Sequence, residues 1–109
     1  MRDLLSQHSD NKFRTSITDA AGAIASSSLF TNAEYLIARS HGEILLRLTL
    51  GNGIERDGDD FVTTIDDSQI TFRGNFTHQF VVYDAAGNKL PPVFNNPLTI
   101  TQTLIQEIT

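Results

Sequence analysis

The sequence of 109 residues predicts an all-β fold, an antiparallel β-sandwich of about seven to eight short strands with a short N-terminal arm or helix. Three observations carry this. Apolar residues recur with a period of two in several separate runs. Clusters of Gly, Asn, Asp and Ser interrupt those runs at intervals of about 8 to 12 residues. No stretch between strands has the amphipathic pattern of a crossover helix, which argues against an α/β fold. The expected organisation is an N-terminal arm over 1–11 and one β-sandwich domain over 12–109, a length suited to a single core.

Taken in order, residues 1–10 fit a short helix or a flexible arm, and propensity does not choose between them. Phe13, Thr15 and Ile17 alternate with Arg14, Ser16 and Thr18 as a strand. Asp19-Ala20-Ala21-Gly22 then turns the chain, and Ala23-Ile24-Ala25 can run back. Ser26-Ser27-Ser28 reads as irregular. Tyr35-Leu36-Ile37-Ala38-Arg39 suits a strand or a helical turn, and Ser40-His41-Gly42 behind it favours a hairpin into the next run. That run, Ile44 to Leu50, is the clearest: residues 44, 46, 48 and 50 are apolar around Arg47 and Thr49, and Gly51-Asn52-Gly53 ends it.

Downstream, Phe61, Thr63 and Ile65 precede an Asp66-Asp67-Ser68 turn, and Ile70-Thr71-Phe72 forms a further short strand before Arg73-Gly74-Asn75 breaks it. Gln79-Phe80-Val81-Val82-Tyr83 is β-branched and aromatic, as a half-buried pleated surface prefers. Asp84-Ala85-Ala86-Gly87-Asn88 closes it. This segment repeats the form of Ile17 to Gly22, which one shared turn chemistry explains: Asp bonds the local backbone and Gly takes a left-handed conformation. Leu98, Ile100 and Leu104 alternate with Thr99, Thr101 and Thr103 in a last strand. Pro91, Pro92 and Pro97 are expected between strands, where a missing amide proton matters least.

Composition limits the function. The eight basic residues are scattered and the net charge is −5, so a nucleic-acid partner is not expected. No run approaches the roughly 18 apolar residues of a membrane helix, so no membrane partner is expected either. The chain has no cysteine, which removes disulfides and thiolate chemistry. His8, His41 and His78 lack zinc-site spacing and are expected in solvated loops or termini. No nucleophile elbow or phosphate loop occurs. No cofactor and no enzymatic activity are expected. Glu55, Asp57, Asp59 and Asp60 form the densest charge cluster. A solvated loop accounts for them, while Asp57, Asp59 and Asp60 are the weak candidates for a cation.

The order of these segments resembles the small β-sandwich domains of tailed-phage virion proteins, of the LtfC-like and baseplate-upper-protein N-terminal types. The likeness rests on an opening strand into Asp19-Ala20-Ala21-Gly22, then Ala33 and the Tyr35–Arg39 strand. It continues through Ile65-Asp66-Asp67-Ser68-Gln69-Ile70-Thr71-Phe72, Phe80-Val81-Val82-Tyr83, the Asp84–Asn88 turn and Leu98-Thr99-Ile100-Thr101. Thr77-His78 stand where such domains carry a glycine, and Pro91-Pro92 is outside the pattern. The resemblance implies a virion location, with other virion proteins and copies of the chain itself as partners. Leu4, Leu5 and Phe13 on the arm, and Thr99, Thr101 and Thr103 on the last strand, are the partner-binding candidates. The alternative is a small ligand- or carbohydrate-binding sandwich, cation-dependent through the acidic loop. The single-digit count of tyrosines (two) and the lack of tryptophan weigh against sugar platforms.

Overall fold

The computed structural model describes residues 3–6, 11–19, 21–39, 41–66 and 68–101, the first of these by backbone only. Among them the strands are β1 (Asp3–Ser6), β2 (Asn11–Thr15), β3 (Ile17–Thr18), β4 (Ile24–Ala25), β5 (Asn32–Ala38), β6 (Ile44–Leu50), β7 (Gly53–Asp57), β8 (Asp60–Ile65), β9 (Gly74–Tyr83) and β10 (Phe94–Thr101). A single 3-10 turn, Ser27–Leu29, interrupts them. The all-β class stands. Eight strands form one sheet in the order β1-β10-β9-β5-β6-β7-β8-β2, and β3 pairs with β4 in a separate two-stranded ribbon.

The expected pair of antiparallel sheets is thus replaced by one sheet folded over itself. The fold line lies between β6 and β7. There the chain loops through Gly51-Asn52 and resumes in the same direction, pairing in parallel at only Thr49↔Gly53 and Leu50↔Ile54. Parallel neighbours ordinarily need a long crossover, so this two-residue link makes a corner rather than a ladder. Gly51 and Gly53 take φ of +87° and +99°, which side-chain-bearing residues rarely adopt. A Cβ on Gly53 would also come within 2.8 Å of Leu48 Cδ2.

Beyond the corner, β7, β8 and β2 lie over β5, β9 and β10. Ring contacts stitch the two halves: Phe61 of β8 lies 5.8 Å from Phe80 of β9. Phe13 of β2 meets Tyr35 of β5 at 5.1 Å and Phe94 of β10 at 6.4 Å. Edge-on and tilted packing of this kind is favoured by the ring quadrupoles. Leu48, Ile54, Ile65, Ile70, Leu98 and Ile100 belong to the same buried cluster.

The two Asp-Ala-Ala-Gly segments form the same turn, as the shared chemistry predicts. Asp19 Oδ1 accepts from the amides of Ala21 and Ala23, and Asp84 Oδ1 from those of Ala86 and Asn88, all at 2.9–3.0 Å. Gly22 and Gly87 both have φ of +85°. The Arg39–Glu43 hairpin repeats the backbone bonds without the aspartate.

Several expectations are corrected. The N-terminal arm or helix over 1–11 is a strand at residues 3–6, parallel to β10, and Asn11 already belongs to β2. The run Phe13–Thr18 is split at Ser16 between the main sheet and the ribbon. Ile70–Phe72 is not a strand; Ile70 is buried in the core and Phe72 packs on Phe76 at 5.1 Å. Instead β9 starts at Gly74 and carries His78 inside it, buried, so His78 is not a solvated loop residue. Pro97 lies within β10. Among the described residues, the pairing with β1 begins one residue further on, at Leu98, and Thr77 of β9 stands opposite Pro97.

Candidate partner-binding site

The β3–β4 ribbon leaves the main sheet at Ser16 and, with the loop that joins β9 to β10, encloses a depression of about 590 Å³. Its apolar wall comes from Ile17, Ala25, Phe30, Val82 and the Leu90–Val93 segment. Pro91 and Pro92 stiffen that segment by fixing φ. They are spared a role in a ladder, while Leu90 N and Val93 N donate to Val82 O and Phe80 O.

The polar groups of the depression are largely engaged already. Ser16 Oγ donates to Asp60 Oδ1 at 2.8 Å, and the Asp19 carboxylate is held by its own turn. What faces a ligand is therefore mainly hydrocarbon. Next to Ala25 in the chain, Ile24 is 62% exposed, and next to Phe30, Leu29 is 59% exposed. Ile44, at the other end of β5, is the third large exposed apolar side chain among the described residues.

The acidic cluster is not the free loop that its sequence suggests. Glu55, Arg56 and Asp57 belong to β7, Asp60 to β8, and only Gly58-Asp59 turns between them. Arg14 of β2 ion-pairs with Asp57 and, at 3.1 Å, with Asp60. The hydrogen bond from Ser16 and then the Arg14 guanidinium hold the Asp60 carboxyl below the usual carboxylate range. Hydrogen bonding to Asp57 and Asp60 in turn holds Arg14 above its ordinary value. The tip is tied down as well: Ser27 Oγ donates to Gly58 O at 2.9 Å and Ser27 N to Asp59 O at 3.0 Å. Arg14 occupies the place a cation would take between Asp57 and Asp60, and no group of three or more metal-ligating side chains occurs among the described residues.

Two further polar groups are buried. Tyr35 Oη and His78 Nδ1 are 2.8 Å apart, with Tyr35 0% and His78 6% exposed. The imidazole also lies 4.9 Å from the Phe94 ring. On the outer face of the sheet, the buried Glu34 carboxylate accepts from Arg47 Nε at 2.8 Å, beside Leu36 and Val81, which are buried outside the core cluster.

The predicted partner-binding residues are brought together only in part. Leu4 and Leu5 pair with Thr99 and Ile100 through their backbones. Phe13 turns inward, against Tyr35 and Phe94, because it is the inward position of β2. Thr99 Oγ1 donates to Asn75 Oδ1 at 3.0 Å, and Thr101 is exposed. Both lie where β10 is paired by β1, and Thr99 is also paired by β9, so they do not form the open edge that was expected. Thr103 lies outside the described residues. The groove was missed. Its signal was the Pro91-Pro92 pair beside Leu90 and Val93, set just after a turn that repeats the one at Asp19.

No protein-family model matches the chain, and no curated protein matches it. Among solved structures it is similar to Clostridium thermocellum CbhA fibronectin(III)-like modules, at 11% identity over 94% of this chain and 92% of that one, with a TM-score of 0.49. Identity and score at that level assign neither a family nor a role.

Proposed function

We propose that this chain is a non-enzymatic structural protein of a tailed-phage virion, a capsid-surface, neck, tail or baseplate component that acts through protein–protein assembly contacts. The observation that carries the protein-binding part is the apolar depression behind the β3–β4 ribbon. Its carboxylate and its Ser16 hydroxyl are spent on internal bonds, so it suits the apolar side chains of another protein. Exposed Ile24 and Leu29, next in the chain to the lining residues Ala25 and Phe30, add apolar surface to this part of the molecule. The virion part rests on the segment order around Asp19–Gly22, Tyr35–Arg39 and Asp84–Asn88.

The test is a phage genome carrying Ile24→Thr together with Leu29→Ser. Both side chains are exposed, and threonine keeps the β-preference of β4, so the purified variant keeps its circular dichroism and melting temperature. The expected result is a sharp loss of the chain from purified particles. Unchanged incorporation would overturn the apolar surface around the β3–β4 ribbon as an assembly surface.

A further inference from the structure

The geometry points to strand addition at β3: an extended segment of another protein pairs with the open edge of β3 and lies in the depression, with a Lys or Arg side chain set against Asp19. This rests on the reading of that depression as the assembly surface, and names what fills it. Four consecutive residues, Ser16 to Asp19, line the depression. Neighbouring side chains of a strand point to opposite faces, so a stretch of four borders it along a backbone edge rather than with one face. Leu90 to Val93, again four in succession, line it as well.

Among the described residues, β3 pairs with β4 alone. Strand β4 lies on the side that β8 occupies along β2, because Ser27, just after β4, donates to Asp59 O, just before β8, at 3.0 Å. On opposite sides the two would stand about two strand spacings apart, ~9 to 10 Å. The other edge of β3 is the open one, and its polar groups face outward. Asp19 N donates to Ala23 O, and bonded and non-bonded pairs alternate along an antiparallel ladder. Thr18↔Ile24 is therefore a non-bonded pair, which turns the Thr18 amide and carbonyl away from β4. In the loop before β10, Leu90 N and Val93 N are directed back to β9, and Pro91 and Pro92 carry no amide proton. That wall supplies hydrocarbon and no competing donor. An incoming segment thus finds its ladder on β3 and apolar packing on Leu90–Val93, the pattern of strand-addition recognition. Its charge follows from Asp19, the one charged residue lining the depression among the described residues. The turn amides take Asp19 Oδ1, and no cation pairs with this carboxylate among the described residues.

The test selects random displayed peptides on the immobilised protein and synthesises those enriched. The expected sequences alternate Val, Ile or Thr with other residues and carry a Lys or Arg. When they bind, amide exchange at Thr18, read by NMR on the labelled protein, is expected to slow by about tenfold or more. Asp19→Asn keeps the turn acceptor and removes the charge, and should weaken the basic peptides by about two- to fivefold. A variant that binds them as the wild type does would overturn the charge assignment. Selection that enriches no peptide, or binding that leaves Thr18 exchange unchanged, would overturn strand addition. So would a Thr18 amide already protected in the isolated protein, since the chain itself would then cover the edge. Any of these failures, with Ile24→Thr and Leu29→Ser still removing the chain from particles, would leave the assembly surface standing.

Discussion

Replacing Tyr35 with phenylalanine deletes one oxygen from the most enclosed polar pair in the molecule. The ring stays, with its 5.1 Å edge contact to Phe13, so the change removes the hydrogen bond to His78 Nδ1 while sparing the ring packing. Both residues are nearly free of solvent, at 0% and 6% exposure, and water has little room to replace the lost hydroxyl. A buried polar group deprived of its partner costs about 1–3 kcal/mol. In a domain of this size that corresponds to about 4 °C of melting temperature per kcal/mol. Urea unfolding followed by circular dichroism reads the loss as a lower midpoint at unchanged slope. His78→Leu is expected to destabilise as well, since it removes the bond to the Tyr35 hydroxyl and the ring contact to Phe94. The double variant, with neither polar group left, should lose less than the sum of the singles, by about 1 kcal/mol or more. A Tyr35→Phe protein as stable as the wild type, with an additive double variant, would refute the reasoning that this pair is held by its hydrogen bond.

Other perturbations separate the remaining claims. Thr63 has its hydroxyl buried without a hydrogen-bond partner, so Thr63→Val should stabilise by about 1 kcal/mol in the same urea assay. Gly53→Ala should destabilise by about 2 kcal/mol, because it combines a positive φ with an approach to Leu48; Gly58→Ala, at φ +63° with open space around it, should lose less. Asp60 and Asp84 are both held below the usual carboxylate range, Asp60 by Ser16 and Arg14, and Asp84 chiefly by the Asn88 amide. Their stabilisation is complete above the unfolded value of about 4 and is lost as pH falls through the lower folded values. Thermal melts in that acid window should therefore fall less steeply for Asp60→Asn and Asp84→Asn than for the wild type. Calcium should leave the melting temperature unchanged, because Arg14 already bridges Asp57 and Asp60; a rise would restore the acidic hairpin as a cation site.

Local chemistry was legible and distant pairing was not. The Asp19 and Asp84 turns could be read because aspartate and glycine act within five residues of backbone. The β6 strand could be read from its own alternation. The first half of β9 was legible in principle: Phe76, His78, Phe80 and Val82 alternate, but Gly74-Asn75 looks like a turn and histidine like a loop residue. By contrast, Asp3-Leu4-Leu5-Ser6 has no period of two, and its partner β10 lies at the other end of the chain. Arg14 finds Asp57 and Asp60 across 43 and 46 residues, so the acidic run looks solvated until the sheet folds over at Gly53. The groove escaped notice for the same reason, since Ile17 and Phe30 meet Leu90 and Val93 only in three dimensions.

The central claim, that the chain is a building block of a tailed-phage particle, is tested most directly by mass spectrometry of gradient-purified particles from a phage whose genome encodes it. The account predicts peptides of this chain in the particle fraction, at a fixed copy ratio to the major structural proteins. Peptides confined to the soluble lysate, with none in the particles, would contradict it.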